Sequence, residues 1–104
     1  MKTTAIALVF ASVMSLGAEP IAIVIHGGAG WMDKSTFTPE HQKQYHVVLE
    51  QSLRGGHAIL NRGGSALDAV EAAITAMEDA PIFNAGKGAV FTSAGRNELD
   101  ASIM

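Results

Sequence analysis

Cysteine is absent from the 104 residues, so no disulfide framework, thiolate metal site or cysteine nucleophile is available. A disulfide-free domain suits the inside and the outside of a cell equally, so this absence leaves the compartment open. Charge is scarce too: Asp, Glu, Lys and Arg make up 16% of the chain, against about 25% in average domains. Apolar residues reach 48%, a balance that argues against intrinsic disorder and for a packed core. The 7 Lys and Arg form no cluster and leave a formal charge of -3 against 10 Asp and Glu. The electrostatic footprint that a nucleic-acid binder needs is therefore missing. No repeat or low-complexity tract is present, and no apolar run reaches the roughly 20 residues of a membrane-spanning helix. A chain this short is a small domain or part of one.

The first eighteen residues carry much of the apolarity. Lys2 precedes Ala5 to Ala11 and then Val13 to Ala18, which is the one-cation, short-apolar-run and small-residue pattern of a signal peptide. Cleavage after Gly17 or Ala18 is expected, giving a periplasmic or secreted protein beginning near residue 19. The competing reading is a buried strand or helix of the domain itself.

Residues Ile21 to Ile25 form an apolar, largely β-branched run, the pattern of a strand covered on both faces. It leads into His26-Gly27-Gly28-Ala29-Gly30, a loop whose glycines can lie close to another segment or a ligand. Thr38-Pro39-Glu40 is a helix start. Tyr45, Val48, Leu49, Leu53, Ile59 and Leu60 make its apolar stripe. Gly55 and Gly56 interrupt the stripe as a close crossing or a kink. Gly63-Gly64 ends this helix, and Ser65 caps a second one to about Glu78, with Asp68 in a capping-box position. Its expected stripe is Ala66, Val70, Ala73, Ile74 and Met77, its alanines permitting close approach. Asp79-Ala80-Pro81 breaks the helix, and Phe83 to Gly88 is a second glycine-bearing loop. Strands are expected at Ala89 to Thr92 and from Glu98, with a turn over 93–97. Leu99, Ala101 and Ile103 share one face of the later strand. Its stop at Met104 reads as truncation.

His26, Gly27 and Gly28 are candidates for an anion or oxyanion site, because consecutive backbone N-H groups can converge on negative charge. A tight turn with a hydrogen-bonded His explains the same residues. Asn84 is a neutral donor able to serve a reacting carbonyl oxygen, although Asn also suits the turn itself. The dinucleotide and Walker fingerprints fail on their glycine and Ser/Thr positions. A lipase-type reading of His26 to Gly28 lacks its nucleophile elbow, since Gly63-Gly64-Ser65-Ala66-Leu67 carries Leu where Gly is required. His41, His46 and His57 are spaced unlike a helical metal pair. Glu71, Glu78 and Asp79 suit a solvated face.

Taken in order, Ile23 to Gly30, Gly64 to Val70, Asp79 to Gly88 and Glu98 to Met104 resemble the isoaspartyl peptidase and plant-type L-asparaginase family of N-terminal nucleophile hydrolases. The resemblance covers nearly everything after residue 18. It implies an αββα sandwich, made as a precursor that cuts itself to expose a threonine, whose own α-amino group is the base. It implies cleavage of β-aspartyl peptides and of L-asparagine to aspartate, with a β subunit from the same precursor and an (αβ)2 assembly. No nucleic-acid or membrane partner is expected for the mature protein.

By the same resemblance, His26, Gly27 and Gly28 lie near the self-cleavage site, and Asn84 sits beside the nucleophile as oxyanion donor. The backbone carbonyls of Met77, Glu78, Ala80, Phe83, Ala85 and Lys87 match a structural sodium loop, with no organic cofactor. The chain has no Gly-Thr pair, so the nucleophile is absent, as are the family's Arg and Asp residues that grip the substrate's aspartyl part. The other functional readings are an inactive truncated product and, less favoured by its motifs, an esterase fragment.

Overall fold

The computed structural model describes residues 20–29, 35 and 37–104. The expected signal peptide, 1–18, lies outside them. Among the described residues two helices dominate, α1, Pro39–Asn61, and α2, Ala66–Glu78, followed by a 3-10 turn at Gly86–Gly88. Among the described residues no helix is long and apolar enough to cross a membrane.

Both helices start where the expected caps lie. Thr38 Oγ1 accepts the His41 N-H at 3.3 Å, with Pro39 next to it in the first turn. Ser65 Oγ accepts the Asp68 N-H at 3.1 Å and donates to Asp68 Oδ2 at 2.7 Å. The reciprocal bond of this box therefore runs through the serine hydroxyl. At the end of α1, Gly63 takes a φ of +82°. The Gly63 N-H bonds to Leu60 O and the Gly64 N-H to Ile59 O, both at 2.9 Å. This paired arrangement satisfies the last carbonyls and requires a residue without a β-carbon penalty at position 63.

The helices pack through their smallest residues. Ser52 and Gly56 are the buried positions of α1, and Ala69, Ala73 and Met77 those of α2. Ser52 Oγ donates to the Ala73 carbonyl at 2.7 Å, which satisfies the one buried polar side chain among the described residues. A β-carbon at Gly56 would meet Ala69 O at 2.9 Å and Ala73 Cβ at 3.3 Å, and would collide with Ile23 Cδ1. Gly56 is thus a close crossing, while Gly55 faces open space.

The expected stripe of α2 is corrected by one helical face. Ala69, Ala73 and Met77 point inward at a spacing of four, whereas Ala66, Val70 and Ile74 are exposed. The helices approach so closely over Gly56 that only small side chains fit between them, so the alanine row faces α1 instead.

No strand forms among the described residues. The run from Ile21 to Ile25 is not covered on both faces: Ile23 and Ile25 are half-buried, but Val24 is 91% exposed. That alternation has the period of a strand lacking a partner for its ladder. Residues 89–92 and 98–104 likewise form no ladder, although the expected turn between them is present. Thr92 N-H bonds to Arg96 O at 2.7 Å, with Gly95 at a φ of +71°. The αββα sandwich needs sheets, and the described residues build only helices and loops.

Candidate functional site

The loop after Ile25 is fixed by contact with α1 and with the second glycine loop. A β-carbon on Gly27 would stand 3.2 Å from Phe83 Cε1 and 3.3 Å from Leu49 Cδ2. Glycine at this position lets the His26 to Gly28 backbone settle against the buried Phe83 ring. Gly28 has a φ of +107° and donates its N-H to His26 Nδ1 at 3.0 Å. The hydrogen-bonded turn is therefore formed. Of the amide groups considered for an oxyanion site, that of Gly28 is already engaged.

The second loop is anchored by Tyr45 of α1, whose hydroxyl donates to Ile82 O at 2.9 Å. The same ring meets Phe83 edge-on at a centroid separation of 5.3 Å and Phe37 at 5.7 Å. Sequence reasoning placed Tyr45 in the apolar stripe and missed its polar tip. The available signal was that a half-buried Tyr hydroxyl takes a hydrogen-bond partner. Asn84 follows directly. Its Oδ1 accepts the Val90 N-H at 3.0 Å, which leaves Nδ2 with two donors and no partner among the described residues.

His26, Gly27, Gly28 and Asn84 come together on one cleft of about 470 Å³, which also reaches Tyr45 and Ile74. Chemically it offers a backbone loop and one side-chain amide over an apolar floor. Such a surface can hold and polarise a carbonyl. No Ser, Thr or Cys lines it; beside the amide it carries the His26 imidazole, the Tyr45 phenol and the Glu78 carboxyl group. His41, His46 and His57 are exposed along α1. Among the described residues no group of three His, Cys, Asp or Glu side chains gathers to hold a metal.

The carbonyls expected to hold sodium lie on the turn from the end of α2 through Gly88. Met77 O accepts the N-H groups of Asp79 and Ala80, Ala80 O that of Phe83, and Ala85 O that of Gly88. Glu78, Phe83 and Lys87 receive no such bond among the described residues. The loop folds tightly upon its own oxygens: a β-carbon at Gly86 would sit 2.5 Å from Glu78 O, and one at Gly88 would collide with Phe83 O and Pro81 O. Lys87 Nζ is paired with Asp79 Oδ1 at 2.7 Å, so its charge is balanced beside the loop. Neutral carbonyl oxygens are the donor type a hard cation takes, and the Asp79 partner offsets the Lys87 charge beside them.

A family model described as Asparaginase matches residues 19–104. The chain belongs to the isoaspartyl peptidase and plant-type L-asparaginase family. The asparaginase-family assignment carries with it the N-terminal nucleophile hydrolase fold class. The isoaspartyl peptidase/L-asparaginase of Homo sapiens is 45% identical over 86 residues, covering 83% of this chain and 26% of that protein. A plant-type L-asparaginase of Thermococcus kodakarensis is 49% identical over 83 residues, covering 80% and 26%. The isoaspartyl peptidase of Salmonella typhimurium is 43% identical over 82 residues, covering 79% and 26%. The chain thus spans about a quarter of the length of these asparaginase-family relatives.

Proposed function

We propose that this chain is the N-terminal part of the α subunit of a self-processing amidohydrolase that cleaves β-aspartyl peptides and L-asparagine to aspartate. Carrying the proposal is the convergence of Asn84 and the His26 to Gly28 loop on one cleft, in a chain whose relatives are named for that activity. Asn84 Nδ2 serves as the oxyanion donor. The nucleophilic threonine and the groups that grip the aspartyl part come from the β subunit of the same precursor, in an (αβ)2 assembly. A sodium ion held by the Met77, Glu78, Ala80, Phe83, Ala85 and Lys87 carbonyls would rigidify the loop that carries Asn84. Export by residues 1–18 places the enzyme in the periplasm or outside the cell.

The test uses the full-length protein that contains this sequence. It is expected to release aspartate from asparagine and from β-aspartyl dipeptides. Asn84→Ala is expected to slow this by on the order of a hundredfold, the cost of losing one oxyanion donor. The loss falls on kcat, because the bond strengthens as charge develops on the oxygen. A variant with wild-type kcat would show that Asn84 only shapes its loop, and absence of aspartate release from either substrate would overturn the reading altogether.

A further inference from the structure

Among the described residues the Asn84 side chain is held by a single hydrogen bond, Val90 N-H to Oδ1, so its amide is aimed only as well as the Val90 peptide is placed. That peptide lies in no helix and no ladder. It is fixed instead by the side chain of Asn97, whose Nδ2 donates to Ala89 O at 2.8 Å and to Val90 O at 3.1 Å. An amide nitrogen has two N-H donors, and Asn97 spends both on two consecutive carbonyls. It reaches them because the chain reverses over Thr92 to Arg96. There Thr92 Oγ1 accepts the Arg96 N-H at 3.3 Å and Thr92 O accepts the Gly95 N-H at 2.9 Å.

The geometry points to Asn97 as a positioning residue for the hydrolytic reaction: it clamps the Ala89 and Val90 carbonyls so that the Val90 N-H orients Asn84. This rests on the reading of Asn84 as oxyanion donor. Asn97 touches no reacting atom and acts through one backbone amide and one side chain. Neither an aliphatic residue nor a carboxylate can take its place, because the contact needs two donors.

In the full-length protein, Asn97→Ala is expected to lower kcat about tenfold, less than removal of the donor itself, because misplacement weakens the bond without deleting it. KM should stay within about twofold, the donor acting mainly in the transition state. In an Asn84→Ala background the same change should have no further effect on kcat, since coupled residues are not additive. Equal losses in both backgrounds, or a lowered Tm with unchanged kcat, would overturn the assignment. If Asn84→Ala keeps wild-type kcat, the oxyanion reading falls and Asn97 falls with it; if Asn84→Ala is slow and Asn97→Ala is not, only Asn97 is withdrawn. Asn97→Asp keeps the volume and loses the donors, so it should repeat the Asn97→Ala result. Failure of both variants to fold would assign Asn97 a purely structural role.

Discussion

An added methyl at Gly56 would meet a carbonyl, a β-carbon and the Ile23 side chain, whereas the same methyl on Gly55 meets nothing within 4 Å. Two adjacent glycines in one helix therefore make opposite predictions. Gly55→Ala should stabilise the full-length protein by about 0.5 to 1 kcal/mol, the entropic and propensity penalty of a mid-helix glycine. Gly56→Ala should destabilise it by about 1 to 3 kcal/mol, because the α1 to α2 crossing must widen to admit the methyl. Urea unfolding of the two variants checks this, and equal shifts of the midpoint would show that the close approach at Gly56 is not limiting. At this scale Asn84 was legible as a neutral donor on a glycine loop. Its dependence on Val90, and through Val90 on Asn97, was not. Those bonds join residues six and seven apart through a turn, and no residue type announces them.

The caps were the most legible elements, because they are local chemistry. Thr38 and Ser65 are hydroxyl residues one position before a helix, and the N-H each accepts lies three residues on. Ser65→Ala should cost about 1 kcal/mol of stability. A change below the error of a denaturation curve would mean that Asp68 and the turn at Gly63 hold the start of α2 without it. The strands were illegible in the opposite sense: the pattern is present and the element is not. Ile23 and Ile25 turn inward while Val24 turns out, as a strand requires. A strand exists only through a ladder partner, and partners are set by long-range pairing rather than by local preference. The inner face of α2 was misread for a related reason. Val70 and Ile74 look more like core than Ala69 does, and only the narrow gap over Ser52 and Gly56 selects the alanine row.

Across the molecule, Val90, Phe91, Leu99 and Ile103 are more than half exposed, as is Val24, and they share no core of their own. Such surface seeks a partner. The 104-residue chain alone should hydrolyse neither asparagine nor β-aspartyl dipeptides, because it encodes no nucleophile in the required context. It should also elute from size exclusion as soluble aggregates with helical circular dichroism. Turnover that persists through repurification, or a sharp monomer peak that binds no hydrophobic dye, would refute the respective half of this expectation.

Only the short connection over 62–65 separates α1 from α2, and this sets an order in time. Closing so short a loop costs little chain entropy, and contacts between neighbours in sequence form sooner than pairings between distant strands. During synthesis the amino-terminal part emerges first, so the helical hairpin can close on Ser52 and Gly56 while later segments are still being added. The cradle for Asn84 is then assembled on a surface already in place, with Leu67, Val70 and Ile74 left outward on α2.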